Sequence, residues 1–156
     1  MEREKRSAMG PSAEVEVAGT LSGVQADCLF CKLHDSSLHE ILVESDNFVV
    51  RWDNYPLSKG HVELVPRRHI ESFFDMTAVE IVEAYTLMTQ AREEIDDQFG
   101  PAAYTIGVND GTAAGRTVDH LHIHLIPRYE GDVDDPRGGI RQILPGPHPD
   151  EWAPRS

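Results

Sequence analysis

An α+β domain with an antiparallel sheet is the fold class this sequence predicts. Three observations predict it. Short apolar, alternating segments are joined by brief polar turns. One long segment has helical period and a full set of start and stop signals. A second alternating run, rich in histidine, follows soon after that helix. Links this short join antiparallel neighbours, because parallel strands need long crossovers.

In chain order, Ile41–Val43 and Phe48–Trp52 read as two strands around the turn Glu44-Ser45-Asp46-Asn47. Tyr55-Pro56 through Lys59-Gly60 is a loop. His61-Val62-Glu63-Leu64-Val65 alternates and stops at Pro66, so it reads as a third strand. Thr77 with Glu80 three residues on has the form of a capping box. Ile81, Tyr85, Met88, Ile95 and Phe99 then recur at helical spacing, and Gly100-Pro101 ends the helix. Tyr104, Ile106 and Val108 alternate as a fourth strand, and the Gly-rich stretch Asn109–Gly115 leads into the fifth.

Length and composition bound the function. The 156 residues suit one domain, and 40% hydrophobic with 26% charged content is ordinary for a globular chain. A formal net charge of −13 argues against non-specific nucleic-acid binding and against anionic membranes. No apolar run is long enough to span a bilayer, and the opening M-E-R-E-K-R-S lacks the apolar core of a secretory signal. A cytoplasmic location is therefore expected. Residues 1–24 show no period and are expected to form a mobile tail. Five of the ten prolines fall in 131–156, which predicts an extended Pro/Gly-rich C-terminal extension. The folded body is then 25–130.

The chemistry concentrates at His120, His122 and His124, which alternate with Leu121, Ile123 and Leu125. On a strand, residues two apart lie roughly 6.8 Å from one another on one face. Three readings follow: histidines on an exposed edge, a metal site, or a nucleophilic histidine acting on phosphorus. The preceding N-D-G-T-A-A-G-R-T supports the last. Its glycines allow close backbone approach, its N–H groups can cradle phosphate oxygens, and Asn109, Arg116 and Thr117 add side-chain donors. Cys28 and Cys31, the only cysteines, stand in C-x-x-C spacing, which in a reducing compartment suggests metal or redox chemistry.

The stretch N-D-G-T-A-A-G-R-T-V-D-H-L-H-I-H-L-I-P-R resembles the signature of the histidine triad (HIT) family, His-φ-His-φ-His-φ-φ with φ apolar. G-H-V-E-L-V-P-R-R-H at 60–69 and C-L-F-C at 28–31 resemble two further segments of that family. The likeness runs over roughly 28–130 and points to its zinc-binding, Hint/Fhit-like nucleotide hydrolase branch. It implies the HIT fold: an antiparallel sheet with one long helix and a short flanking helix, in a homodimer. It implies cleavage at the α-phosphorus of dinucleoside polyphosphates or adenosine phosphoramidates. His122 would be the nucleophile, forming a nucleotidyl-histidine intermediate that water hydrolyses. His124 would bind and help protonate, and Thr117 and Asn109 would hold phosphate oxygens. Asp53 would accept from the ribose hydroxyls. Leu29, Phe30 and Leu33 would line the base pocket, with plain core packing as the rival for each. His61 would support the triad or lie at the surface. A phosphorylase or nucleotidyltransferase is the alternative, supported by R-Y-E-G-D at 128–132. A nucleotide-binding protein with vestigial activity is the other.

The resemblance also implies a structural Zn2+ on Cys28, Cys31, His69 and His120, a Cys2His2 set by ligand type, with a free cysteine pair as the alternative. No organic cofactor is expected. His34 and His39 are expected in solvent, and His148 in the C-terminal extension. One position departs from the family. Where its members usually carry glutamine before the Ser/Thr, this chain has Arg116. A guanidinium fork there suits a more anionic leaving group.

Overall fold

A short polar turn fixes the first hairpin. β1 (Ile41–Glu44) and β2 (Phe48–Trp52) are joined through Ser45 and Asn47. Glu83 accepts from the Ser45 hydroxyl (2.6 Å), the Asn47 N–H (3.0 Å) and the Asn47 side-chain amide (2.8 Å). The turn's donors are thus satisfied by the helix that packs over the sheet. The computed structural model describes residues 25–146, so the expected N-terminal tail and His148 lie outside the described residues.

β3 (Val62–Pro66), helix α1 (Ala78–Phe99), β4 (Ala103–Gly107) and β5 (Ile123–Arg128) follow in order. The five strands form one sheet ordered β1-β2-β3-β5-β4, and every neighbouring pair is antiparallel. Among the described residues no helix is long and apolar enough to cross a membrane. The α+β reading is correct in class. The short flanking helix is present only as 3-10 turns, at Leu29–Lys32 and Phe73–Asp75. The histidine strand is shorter than expected. Its ladder begins at Ile123, and His120 and His122 sit just before it, where the Leu121 N–H donates to Ile70 O at 2.6 Å.

Alternation divides the sheet into two faces. Phe48, Val50, Val62, Leu64, Ile123 and Leu125 join the main core under α1. The helix face that meets them is Ala84, Leu87, Ala91 and Ile95. Tyr85 is 73% exposed and Ile81 42%, so the expected stripe is displaced by a fraction of a turn. The reason is size: two alanines let the helix backbone approach the sheet, where bulkier residues would hold it off. A smaller cluster of Phe30, Leu33, Val49 and Val65 occupies the opposite face. That face carries the chemistry.

Two glycines are required. Gly100 caps α1 in the left-handed region at φ 58°. Gly60 has φ 83°, and a Cβ there would meet Ile95, Phe99 and Pro127 side-chain atoms at 3.0, 3.1 and 3.2 Å. Beyond β5 the chain is not simply extended. Gly139–Ile143 forms a 3-10 turn that packs beside β4, with Ile140 Cδ1 4.0 Å from where a Cβ on Gly107 would stand, an ordinary contact distance.

The capping box is complete: Thr77 accepts from the Glu80 N–H (3.2 Å) and Glu80 accepts from the Thr77 N–H (2.7 Å). Thr77→Ala is expected to cost about 1 kcal/mol in urea denaturation. Arg68 and then the Thr77 groups hold the Glu80 carboxyl down to about 2. A depressed folded value means that its stabilisation is present above the ordinary carboxylate range and lost as pH falls toward 2. The stability gap between wild type and Glu80→Gln should therefore narrow on acidification from neutral pH to pH 3.

Candidate active site

The sheet register builds the site floor. Arg51 on β2 stands opposite Glu63 on β3, Glu63 opposite His124 on β5, and His124 opposite Gly107 on β4. Above this row lies a cavity of about 600 Å³, within the usual range for a small-molecule site. Leu29, Phe30, Asp53, Asn109, Thr117, His122 and His124 all line it.

The three histidines do different jobs, and their hydrogen bonds fix their tautomers. Burial pushes His122 below its usual range, and brings His120 and His124 down to about 4, so all three are neutral at pH 7. A neutral imidazole carries one N–H and one lone pair. His122 Nδ1 lies 2.8 Å from His120 O and must be the donor, which leaves Nε2 as a lone pair at the cavity. His120 Nε2 donates to Pro66 O at 2.8 Å, so its Nδ1 is the lone pair. The Leu57 N–H donates to His61 Nδ1 at 3.2 Å, so His61 carries its proton on Nε2. That proton points at His124 Nδ1, 3.1 Å away. His124 then carries its own proton on Nε2. The site therefore holds one imidazole nitrogen with a free lone pair and one adjacent N–H donor, with the His122 and His124 ring centroids 5.1 Å apart.

Two carboxyls adjoin His124. Its Nδ1 is 3.8 Å from Asp53 Oδ2 and 3.9 Å from Glu63 Oε1. Burial first, and then Asp53, raises Glu63 to about 7 even though Arg51 pairs with it. Arg51 and Glu63 side chains are 2% and 8% exposed. Arg51 also reaches Asn54 Oδ1 at 2.6 Å and lies over the Phe30 ring, 5.6 Å from its centroid.

Sequence reasoning missed this pair. The available signal was a charge in each of two otherwise apolar strands, V-V-R-W and H-V-E-L-V. It also missed Ile140 and Ile143, which reach the cavity from the C-terminal extension. Three expectations need correction. Arg116 does not line the cavity: its guanidinium is bound to Glu71 O (2.8 Å), Glu71 Oε2 (3.0 Å) and Asp119 (3.1 Å), anchoring the Gly-rich loop. Leu33 lies in the core with Val49 and Val65 rather than at the cavity wall. His39 is buried, not solvated, with Nε2 donating to Leu29 O at 3.1 Å.

The second expected constellation does come together. Cys28, Cys31, His69 and His120 offer ligand atoms all within 4.8 Å of one another and could hold a metal ion. Cys28 Sγ lies 3.4 Å from His120 Nδ1, and Cys31 Sγ lies 3.4 Å from His69 Nδ1 and 3.7 Å from His120 Nδ1. The lone pair on His120 Nδ1 faces this cluster, as a ligand must. Asp53, His61 and His124 are also close together. The tautomers weigh against a metal there, because His61 accepts at Nδ1 and needs its proton on Nε2.

Fold and site together define a class: an antiparallel α+β domain whose paired neutral histidines face a cavity beside a Gly-rich loop. The HIT domain family matches residues 36–131, and the chain belongs to it. An uncharacterized HIT-like protein of Methanocaldococcus jannaschii is 36% identical over 106 residues, covering 67% of this chain and 81% of that one. An asymmetrical bis(5'-nucleosyl)-tetraphosphatase of Schizosaccharomyces pombe is 35% identical over 80 residues, covering 51% of this chain but only 44% of that enzyme. A crystal structure of a HIT family protein from Bacillus anthracis superposes with a TM-score of 0.65 at 28% identity, covering 81% of this chain and 86% of that one.

The tautomers are directly measurable. Long-range 1H–15N spectra of histidine-labelled protein at pH 7 should show His122 as the Nδ1–H form and His124 as the Nε2–H form. His122 protonated on Nε2 would contradict the geometry.

Proposed function

We propose that the chain is a nucleotide hydrolase that cleaves at the α-phosphorus of dinucleoside polyphosphates or adenosine phosphoramidates. The observation that carries this reading is the His122 Nε2 lone pair, fixed at the cavity by the bond from Nδ1–H to His120 O. Nε2 attacks phosphorus in line with the leaving group, giving a nucleotidyl-His122 intermediate that water then hydrolyses. A held nucleophile makes the first step effectively unimolecular. Asn109 and Thr117 hold the phosphoryl oxygens as neutral donors, and the His124 Nε2–H stands toward the leaving group, where it helps to protonate it. Asp53 accepts from the ribose, and Leu29 and Phe30 pack against the base.

The Schizosaccharomyces pombe relative's name supports the polyphosphate arm. A phosphorylase draws on R-Y-E-G-D, but Arg128 there is bound to Asp132 at 2.6 Å, which weakens its case as a phosphate ligand. Intact mass spectrometry after brief mixing with diadenosine tetraphosphate or an adenosine phosphoramidate tests the reading. A nucleotidyl-sized gain is expected in wild type and not in His122→Ala. Neither a gain nor product over hours would overturn it in favour of a binding protein. A nucleoside diphosphate product on adding inorganic phosphate would instead favour the phosphorylase.

The reading includes a structural Zn2+ on Cys28, Cys31, His69 and His120. With Zn–S about 2.3 Å and Zn–N about 2.0 Å in a tetrahedron, sulfur and nitrogen stand about 3.5 Å apart, close to the 3.4 and 3.7 Å separations here. When bound, the ion would cross-link the Leu29–Lys32 turn to the segment holding His122. Elemental analysis should find one zinc per chain, and Cys28→Ser with Cys31→Ser should lose it and melt at lower temperature. Exposed Val79, Val82 and Tyr85 on α1, together with β4 at the sheet edge, support a homodimer, which sedimentation will test.

A further inference from the structure

We propose that Glu63 is a positioning residue that supplies a proton through His124 to the leaving group, which fits the site to substrates whose leaving atom must be protonated, such as the nitrogen of a phosphoramidate. This rests on nucleotidyl transfer at His122. Three observations carry it. The register sets Glu63 directly opposite His124, with Oε1 3.9 Å from His124 Nδ1. Its other oxygen is bound to Arg51, so the carboxylate left after proton loss has a cation in place. The tautomers put the proton of His124 on Nε2 rather than on the side facing Glu63.

The proton balance follows. As His122 Nε2 bonds to phosphorus, the bond from phosphorus to nitrogen breaks, and its electron pair leaves on the amine nitrogen. That nitrogen takes the His124 Nε2 proton. Alone, this step would leave His124 as an imidazolate. The Glu63 carboxyl proton moves to His124 Nδ1 and keeps the ring neutral, and the negative charge settles beside Arg51. His61 Nε2–H, which occupies Nδ1 at rest, has Asp53 Oδ2 within 3.6 Å as its alternative acceptor. Catalytic contacts that are long without substrate commonly tighten in the complex.

The groups facing Glu63 are Arg51 and Asp53 from the β2 side, the second hydrogen-bonded to its carboxyl, and His122 and His124 from the histidine strand, with His61 two residues before it on its own strand. Burial and Asp53 keep Glu63 protonated up to about neutral pH, which supplies the proton at working pH. A phosphate or phenolate leaving group departs as an anion and needs no such relay.

The test compares two adenosine 5'-phosphate derivatives, an N-alkyl phosphoramidate and a p-nitrophenyl ester, in wild type and Glu63→Gln. Gln keeps an acceptor for Arg51 but cannot give up a proton. We expect kcat on the phosphoramidate to fall about a hundredfold, with KM and p-nitrophenyl turnover changed by less than about threefold. The alkaline fall of kcat on the phosphoramidate should disappear in the variant. Glu63→Asp should restore part of the loss. Because Glu63→Gln denies Arg51 a carboxylate above neutral pH, the neutral pair Arg51→Met with Glu63→Leu is a second variant, and it should show the same selective loss. Equal losses on both substrates with an unchanged pH profile would overturn the proposal and leave Glu63 as the structural partner of Arg51. Wild type inert toward both substrates would overturn the hydrolase reading as well.

Discussion

The short antiparallel pairing of β3 with β5 is the constraint on which the rest depends. Its three partner pairs, Val62 with Leu125, Glu63 with His124 and Leu64 with Ile123, alternate between two purposes. The outer two pairs enter the core beneath α1, and the middle pair faces the cavity. Because side chains on a strand alternate, a slip of β5 by one residue would turn His124 under the helix and bring Ile123 and Leu125 to the cavity face. Burial of those aliphatic groups, at about 1.5–3 kcal/mol each, therefore also places the floor of the cavity. Packing and chemistry are not separable in this sheet.

Burial also sets the protonation states. A histidine in water is partly protonated near neutral pH, and a cationic ring offers no lone pair to phosphorus. Here the low-dielectric floor removes the charge, and single hydrogen bonds to Pro66 O and His120 O decide where the remaining proton sits. The acceptor for His122 is the carbonyl of His120, whose own ring is tied to Pro66 and faces the two cysteines. Anything that orders the cysteine cluster therefore also orders the His122 ring, through two residues of backbone. A metal held by these four residues would thereby be linked to the proposed chemistry at His122 without taking part in it.

Much of this was legible in the sequence, for reasons that can be named. The histidine period, the capping box at Thr77 and Glu80, and the Cys2His2 set are local or chemically distinctive signals. The face of α1 was misjudged because alanine carries little hydropathy signal, yet Ala84 and Ala91 are what allow the helix to approach. Arg116 was read as a phosphate ligand because its partner Glu71 lies 45 residues away. The Arg51–Glu63 pair was invisible for the same reason, since it exists only once β2 and β3 are in register. Local pattern gives elements; charge pairing across strands requires the topology.

The electrostatics bear on what the cavity can accept. With a net charge of −13, the long-range field repels anions, so attraction must be local. Yet the arginines near the site are committed: Arg51 to Glu63, Arg116 to Glu71 and Asp119, Arg128 to Asp132. Apart from the neutral histidines, Arg51 is the one basic side chain lining the cavity among the described residues. On the proposed reading, what remains for a phosphate is a set of neutral donors: Asn109, Thr117 and backbone amides of the Gly-rich loop. Such a set suits a single, singly charged phosphoryl centre better than a polyphosphate chain, whose further charges would need a bound counter-ion of their own. A phosphoramidate monoester carries about one negative charge at its phosphorus and leaves as an amine that needs a proton. An uncharged donor cradle and a buried acid beside His124 answer these two requirements separately. The acid meets His124 because the β3–β5 register pairs them, while Asn109 and Thr117 reach the same cavity from the loop between β4 and β5.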